Sequence, residues 1–154
     1  MKPTRFALAL LLAPLVAAPF ALAQESPPAK KPASELEDRM EKINSAWRRL
    51  RRQATDPAQN ASSLELIATI REASKGTEKL TPARIEEVPE ADRAKFMADY
   101  QAGMKKFFEQ VDALEAALKA NNNEEAGKVL AAIAEHQKAS HKAFKKAPPA
   151  AAKK

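Results

Sequence analysis

The sequence predicts an all-α protein, an antiparallel up-down-up-down four-helix bundle. Its 154 residues include only 3 Gly, too few for the tight turns of a β-sandwich or the glycine-rich loop of a nucleotide-binding fold. No segment shows the strict alternation of a half-buried strand. Between residues 33 and 146 the only prolines are Pro57, Pro82 and Pro89. They divide the chain into pieces of helical length, because proline breaks a helix interior but is tolerated in its first turn.

The N-terminal residues 1–23 have the pattern of a secretory signal peptide. A short basic start precedes a long apolar run, which ends in an Ala-x-Ala motif at residues 21–23. We therefore expect cleavage after Ala23 and export to the periplasm, with no stable membrane insertion afterwards. An uncleaved anchor is the alternative, since about 18 apolar residues can just span a bilayer. Pro14 and Pro19 inside the run favour cleavage.

The composition then divides the rest of the chain. Residues 24–33 form a linker rich in Pro and Lys, and residues 147–154 form a tail of the same kind. Both compositions predict disorder. The four-helix bundle is predicted to occupy residues 34–146, and we expect it to be a monomer.

The first two helices are marked by capping and proline signals. Helix 1 opens with a capping box at residues 34–37 and is expected to end near Ala54. Helix 2 is expected to begin at Asp56-Pro57 and to stop at Gly76. The apolar stripe of helix 1 consists of Leu36, Met40, Ile43, Trp47 and Leu50, and that of helix 2 of Leu64, Ile67, Ile70 and Ala73.

Residues 77–89 form the longest connection, and two further helices follow it. Asn121-Asn122-Asn123 ends helix 3 and caps helix 4. The stripe of helix 3 is Met97, Tyr100, Met104, Phe107, Val111, Leu114 and Leu118. Helix 4 carries Ala126, Val129, Leu130, Ile133, His141 and Phe144 towards one side.

The residues that catalysis requires are scarce. The absence of Cys excludes disulfides, thiolate metal sites, Cys nucleophiles and covalently attached c-type haem. Neither His136 nor His141 follows a Glu by three residues, as a di-iron bundle requires. The two are about 140° apart around a helix, so they do not form a chelating pair. We therefore expect a protein that is not an enzyme.

Four arginines lie in the run 48–52, on a chain with a formal net charge of +6. Because Trp47 and Leu50 occupy the apolar stripe, these arginines fall on the exposed flanks of helix 1. A solvated face explains them, and attraction to an acidic partner protein or anionic lipid is the alternative. Nucleic-acid binding is incompatible with export.

Met40 and His141 are expected to lie at matching heights in the bundle. Helix 1 begins and helix 4 ends at the same end of an up-down-up-down bundle, so both side chains lie about 8–9 Å from that end. His141 is nearer than His136 to the centre of its stripe, and is the better inward candidate. A thioether and an imidazole across a core can ligate a haem iron. From geometry alone, however, core packing and partial exposure are the commoner roles of such residues.

The residues of helix 1 carry a resemblance to a known family. The segment 34–44, Ser-Glu-Leu-Glu-Asp-Arg-Met-Glu-Lys-Ile-Asn, is similar to the opening helix of the cytochrome b562 family. The Met of that pattern, an axial haem ligand, corresponds to Met40. The closing segment 140–145 resembles the family's last helix, whose ligand His corresponds to His141. The segment 100–104 resembles a haem-facing stretch of helix 3, although Met104 stands where the family often has an aromatic residue.

The resemblance implies a periplasmic electron-transfer protein that binds one haem b non-covalently. Met40 and His141 would be the axial iron ligands, and the redox partner protein is not identified. The expected pocket walls are Ile43, Ile70, Tyr100 and Met104. The family often has Arg where Gln137 stands, and some members lack a ligand. The alternative is a haem-free helical bundle of the same fold, acting as a binding or chaperone-like envelope protein.

Overall fold

The computed structural model describes residues 34–146, and this part of the chain contains four α-helices. They are α1 (Glu35–Gln53), α2 (Asn60–Ser74), α3 (Glu90–Lys119) and α4 (Asn123–Phe144). Within this part there is no strand, and none of the helices has the length and hydropathy that crossing a membrane requires. The all-α prediction is confirmed. The predicted signal peptide (1–23), linker (24–33) and tail (147–154) lie outside the described residues.

Helix α1 begins at the predicted capping box. The backbone N–H of Glu37 donates to Ser34 Oγ (3.2 Å), and the backbone N–H of Ser34 donates to the Glu37 carboxylate (3.0 Å). These bonds satisfy two groups that a helix start otherwise leaves unpaired. Acidic residues in the first turn, and Arg51 and Arg52 in the last, complement the helix dipole.

Helix α2 begins later than the proline pattern predicts. A 3₁₀ turn (Pro57–Gln59) comes first, capped by Asp56, whose Oδ1 accepts a hydrogen bond from the backbone N–H of Ala58 (3.0 Å). The α-helical geometry starts at the buried Asn60. The predicted stop is confirmed at Gly76, which has a φ of 76°, a left-handed conformation that glycine adopts without steric cost.

The connection between α2 and α3 contains two 3₁₀ turns, Thr77–Lys79 and Ala83–Glu87. The Tyr100 hydroxyl of α3 donates to the carbonyl of Thr77 (2.8 Å), which ties the first turn to the bundle. This segment is therefore ordered by tertiary hydrogen bonds, although its sequence shows no helical periodicity.

The helices pack in chain order, α1 against α2, α2 against α3, and α3 against α4. The short α1–α2 and α3–α4 connections make the two helices of each of these pairs antiparallel. All four helices contribute to one main core, in which several side chains are almost fully buried. The largest of these are Leu50, Ile67, Ile70, Leu114, Leu118 and Ile133.

Asparagines join three chain segments at one end of the bundle, called here the asparagine end. Asn60 Nδ2 donates to Asn121 Oδ1 (2.9 Å), and Asn123 Nδ2 donates to Asn60 Oδ1 (2.7 Å). Asn123 Nδ2 also donates to the carbonyl of Ala54, beyond the end of α1 (3.0 Å). The network holds the end of α1, the start of α2 and the α3–α4 turn together.

Replacing the central asparagine should destabilise the protein. We expect Asn60→Ala to lower the free energy of unfolding by about 1–3 kcal/mol, because it leaves buried polar groups without partners. The matched control is Gln59→Ala. Gln59 is an exposed amide whose side chain, within residues 34–146, bonds only to Ser62, so its loss should change stability by less than about 0.5 kcal/mol. Urea unfolding followed by circular dichroism measures both, and equal effects would contradict a stabilising network.

Candidate functional site

A cavity of about 440 Å³ lies among α1, α3 and α4, towards the end of the bundle opposite the asparagine end. Its volume is within the range of small-molecule sites. Ser34, before α1, and Lys145 and Lys146, after α4, line it together with residues from the helix interiors. The cavity therefore opens where α1 begins and α4 ends, and we call this the open end.

Met40 is the residue of α1 that joins the two apolar clusters. It is half-buried, and it packs both on the main core and on a smaller cluster made of Leu36, Tyr100 and Met104. Met40 and Met104 both line the cavity. Met40 therefore faces α3, which contributes Tyr100 and Met104 to the smaller cluster.

Aromatic rings form the junction of α3 and α4 beside the cavity. The Tyr100 and Phe144 rings meet edge to face, with centroids 5.5 Å apart, and Phe96 meets Phe144 in the same way at 5.3 Å. Burial, and secondarily the Glu78 carboxylate, raise the pKa of Tyr100 to about 12. Its hydroxyl therefore stays protonated and keeps its hydrogen bond to the carbonyl of Thr77.

His141 lies on the cavity wall in the last turns of α4, with much of its surface exposed. Partial desolvation of the ring, and secondarily the positive charge of Lys145, lower the pKa of His141 below its usual value. The imidazole is therefore neutral at pH 7. A neutral imidazole has a free nitrogen lone pair, which metal ligation requires.

His136 also lines the cavity, and it is the more buried of the two histidines. This differs from the expectation that His141 is the inward one. The reason is the contact between α4 and α3 at Gly103, where the His136 ring meets the backbone of α3. His136 Nε2 lies 2.8 Å from the carbonyl oxygen of Gly103. Since a carbonyl only accepts, this nitrogen carries the proton and is not free to ligate.

The structure brings most of the sequence-predicted site residues together. Five of the six line this one cavity, namely Met40, Ile43, Tyr100, Met104 and His141. Ile70 does not line it. It is 1% exposed in the main core, because its face of α2 packs within the bundle while the cavity walls come from the other three helices.

Sequence reasoning missed part of the wall. Trp47, Phe107 and Ile133 are on the apolar stripes, and the periodicity alone makes them ordinary core residues. The cavity also involves Pro82 and Ala83 from the α2–α3 connection, which carries no periodic signal. The one indication of these wall residues in the sequence was that the apolar stripes of helices 1 and 4 continue to the open end.

The donor set of the cavity fits a haem iron, and much of the wall is apolar. A thioether and a neutral imidazole are among the axial ligands of haem proteins. Gly103 lies in the interior of α3 on the cavity wall, without a positive φ that would require glycine. A methyl group there would lie 3.7 Å from Phe144 Cε2 and 3.9 Å from Ser140 Oγ, which is ordinary contact. Neither the backbone nor the neighbouring side chains therefore require glycine at this position. The missing side chain leaves space on the cavity wall for a ligand.

The chain matches one known family. The family model described as Cytochrome b562 matches residues 35–145, a range that includes all four helices and the whole connection between α2 and α3. No curated protein matches the chain.

Gly103→Ala should separate stability from cofactor binding. We expect the free energy of unfolding of the apoprotein to rise by about 0.5–1 kcal/mol, because alanine replaces glycine inside a helix. We expect haemin to bind about tenfold more weakly, since an added methyl group in a fitted wall costs about 1–3 kcal/mol.

Gly127→Ala is the matched control. It also lies inside a helix with room for a methyl group, 3.5 Å from Thr55 Cγ2, but it does not line the cavity. This variant should gain the same stability and leave the haemin affinity unchanged. Urea unfolding and haemin titration measure the two quantities, and parallel effects of the two variants on haemin affinity would contradict a role for Gly103 in the cavity.

Proposed function

Because the chain belongs to the cytochrome b562 family, whose members are haem-binding electron carriers, we propose that it transfers single electrons on one b-type haem held between α1 and α4. The observation that carries the proposal is the cavity in which Met40 and His141 both form part of the wall. The absence of Cys means that the group would be held by side-chain ligation and packing alone.

Met40 and His141 are the proposed axial ligands. The support for His141 over His136 is the hydrogen bonding of the two rings. His136 donates its Nε2–H to the carbonyl of Gly103, which ties that ring to the backbone of α3, whereas the His141 ring makes no hydrogen bond with the described residues 34–146 and is free to turn. The lowered pKa of His141 keeps its imidazole neutral and therefore able to ligate.

The cavity walls would hold the group and limit its contact with water. Apolar side chains from three helices cover its interior, with Ile43 from α1, Phe107 from α3 and Ile133 from α4. Lys145 at the open end provides positive charge, which would suit the carboxylates of a bound haem. The anchored hydroxyl of Tyr100 holds the aromatic side of the wall in position.

When bound, a haem iron supplies one reversible electron between its ferric and ferrous states. If Met40 and His141 both hold the iron, neither ligand position would be left for a substrate. Ligation by Met and His favours the reduced state more than ligation by two His does. This set of residues therefore suits electron transfer rather than catalysis.

We further propose that the protein works in the periplasm as a monomer, with a redox protein as its partner. The support for the periplasmic location is the signal-peptide pattern of residues 1–23 with its cleavage motif before Gln24.

The axial ligands are tested by titrating the purified apoprotein with haemin. We expect one equivalent to produce the absorption spectrum of a low-spin six-coordinate haem. Met40→Ala and His141→Ala should each abolish that spectrum, because each removes one axial ligand, and should weaken binding by about tenfold or more. A low-spin spectrum that survives both substitutions would contradict the assignment.

Two variants serve as controls. His136→Ala removes the other imidazole of the cavity, and Met97→Leu changes a half-buried methionine that packs near Tyr100 but does not line the cavity. Both should keep the low-spin spectrum. Loss of the spectrum in His136→Ala, with retention in His141→Ala, would assign the ligand to His136.

The single tryptophan gives an independent measurement. Trp47 lines the cavity and is 2% exposed, and a haem beside it accepts its excitation energy. We expect haemin to quench the emission with the same stoichiometry as the spectral change, and to raise the melting temperature. If haemin alters neither property, the haem-free helical bundle is the better assignment.

Export has its own test. Expression of the full-length chain in a Gram-negative host should yield a periplasmic protein whose N-terminal residue is Gln24, since signal peptidase cleaves after the Ala-x-Ala motif. N-terminal sequencing and mass spectrometry measure this. A membrane-bound product that retains residues 1–23 would instead support the uncleaved anchor.

A further inference from the structure

The C-terminal end of α4 is not followed by a glycine in a left-handed conformation. The last carbonyls of a helix have no partner within it, and a glycine in a left-handed conformation commonly satisfies them. Here the helix ends at Phe144, and Lys145 follows in an extended conformation. The backbone N–H of Lys145 donates to the carbonyl of His141 (3.1 Å), which closes the last turn.

Arg84, from the α2–α3 connection, satisfies two carbonyls of that turn. Its Nη1 donates to the carbonyl of Lys142 and to the carbonyl of Ala143 (2.9 Å). A guanidinium suits this position because it carries positive charge to the negative end of the helix dipole. The residues it holds come directly after His141 in the chain.

The segment that carries Arg84 is itself anchored to the bundle. Arg93 Nε, on α3, donates to the carbonyl of Val88 (3.1 Å), just after the second 3₁₀ turn. Lys146 Nζ lies 3.2 Å from the Glu86 carboxylate and 3.8 Å from that of Glu87. These ion pairs are exposed and contribute little by themselves. The hydrogen bonds of Arg84 are therefore the main connection between the segment and the end of α4.

The same segment also forms part of the cavity wall. Pro82 and Ala83, next to Arg84 in the chain, line the cavity together with His141 and Lys145. A shift of the last turn of α4 away from this segment would therefore move the His141 ring and open the wall beside it.

We propose that Arg84 is a positioning residue for the His141 imidazole. By binding the carbonyls of Lys142 and Ala143, it keeps the last turn of α4 helical and holds the ring on the cavity wall. This role rests on the proposed function in so far as His141 is an iron ligand. The effect on the helix end can be measured on the apoprotein without any haem.

The first experiment measures hydrogen exchange in the apoprotein. Arg84→Gln should speed the exchange of the Lys145 amide by about tenfold, because a hydrogen bond from a charged donor contributes about that factor to a local equilibrium. Amides in the main core, such as that of Leu114, should not change. The matched control is Arg71→Gln, which removes the bonds of another arginine, to Asp112 and Glu115, away from this connection and from the cavity, and it should leave the Lys145 amide unaffected. Unchanged exchange in Arg84→Gln would overturn the proposal.

The second experiment measures the haem complex. Arg84→Gln should release haem to an excess of apomyoglobin about tenfold faster than the wild type or Arg71→Gln, and its spectrum should gain a high-spin component. If exchange rises but the release rate and spectrum are unchanged, Arg84 caps the helix without positioning His141, and the proposal is wrong. If the wild type binds no haemin, the proposed function fails, while the exchange data still show whether Arg84 holds the turn.

Discussion

The packing of the main core is the constraint on which the cavity depends. Side chains from all four helices, such as Leu50 and Ile133, are almost fully buried there, and their contacts hold the helix axes in place. At the far end, the Asn60 network fixes the end of α1, the start of α2 and the α3–α4 turn. With this half of the bundle held, α1, α3 and α4 can surround a cavity at the open end without losing their arrangement.

The start of α1, the end of α4 and the α2–α3 connection complete the site. The cavity opens where α1 begins and α4 ends, so Met40 and His141 both approach it from the terminal part of a helix. Helix ends fray easily, because their last backbone groups lack partners inside the helix. This chain stabilises one end with the capping box at Ser34 and the other with the guanidinium of Arg84. Both caps lie beside a proposed iron ligand.

Much of the fold was predictable because its signals are local. The capping box at Ser34, the stop at Gly76 and the asparagines at the α3–α4 turn depend on nearby backbone groups, and the structure confirms them. The 3₁₀ start of α2 was not predictable, since it depends on the burial of Asn60 against another part of the chain. The site was predictable for residues on the stripes that reach the open end. Ile70 was misplaced because periodicity cannot distinguish a core position from a cavity wall.

By itself, the sequence determined that this protein is a bundle of four helices, and which faces of those helices are apolar. Those properties follow from residue spacing, proline and capping within single segments. The tertiary structure decided which apolar positions pack together and which line the cavity. It also decided that the flank of His136 is covered at Gly103 and that Arg84 meets the end of α4. These contacts join residues more than 30 positions apart, and their geometry exists only once the helices have packed.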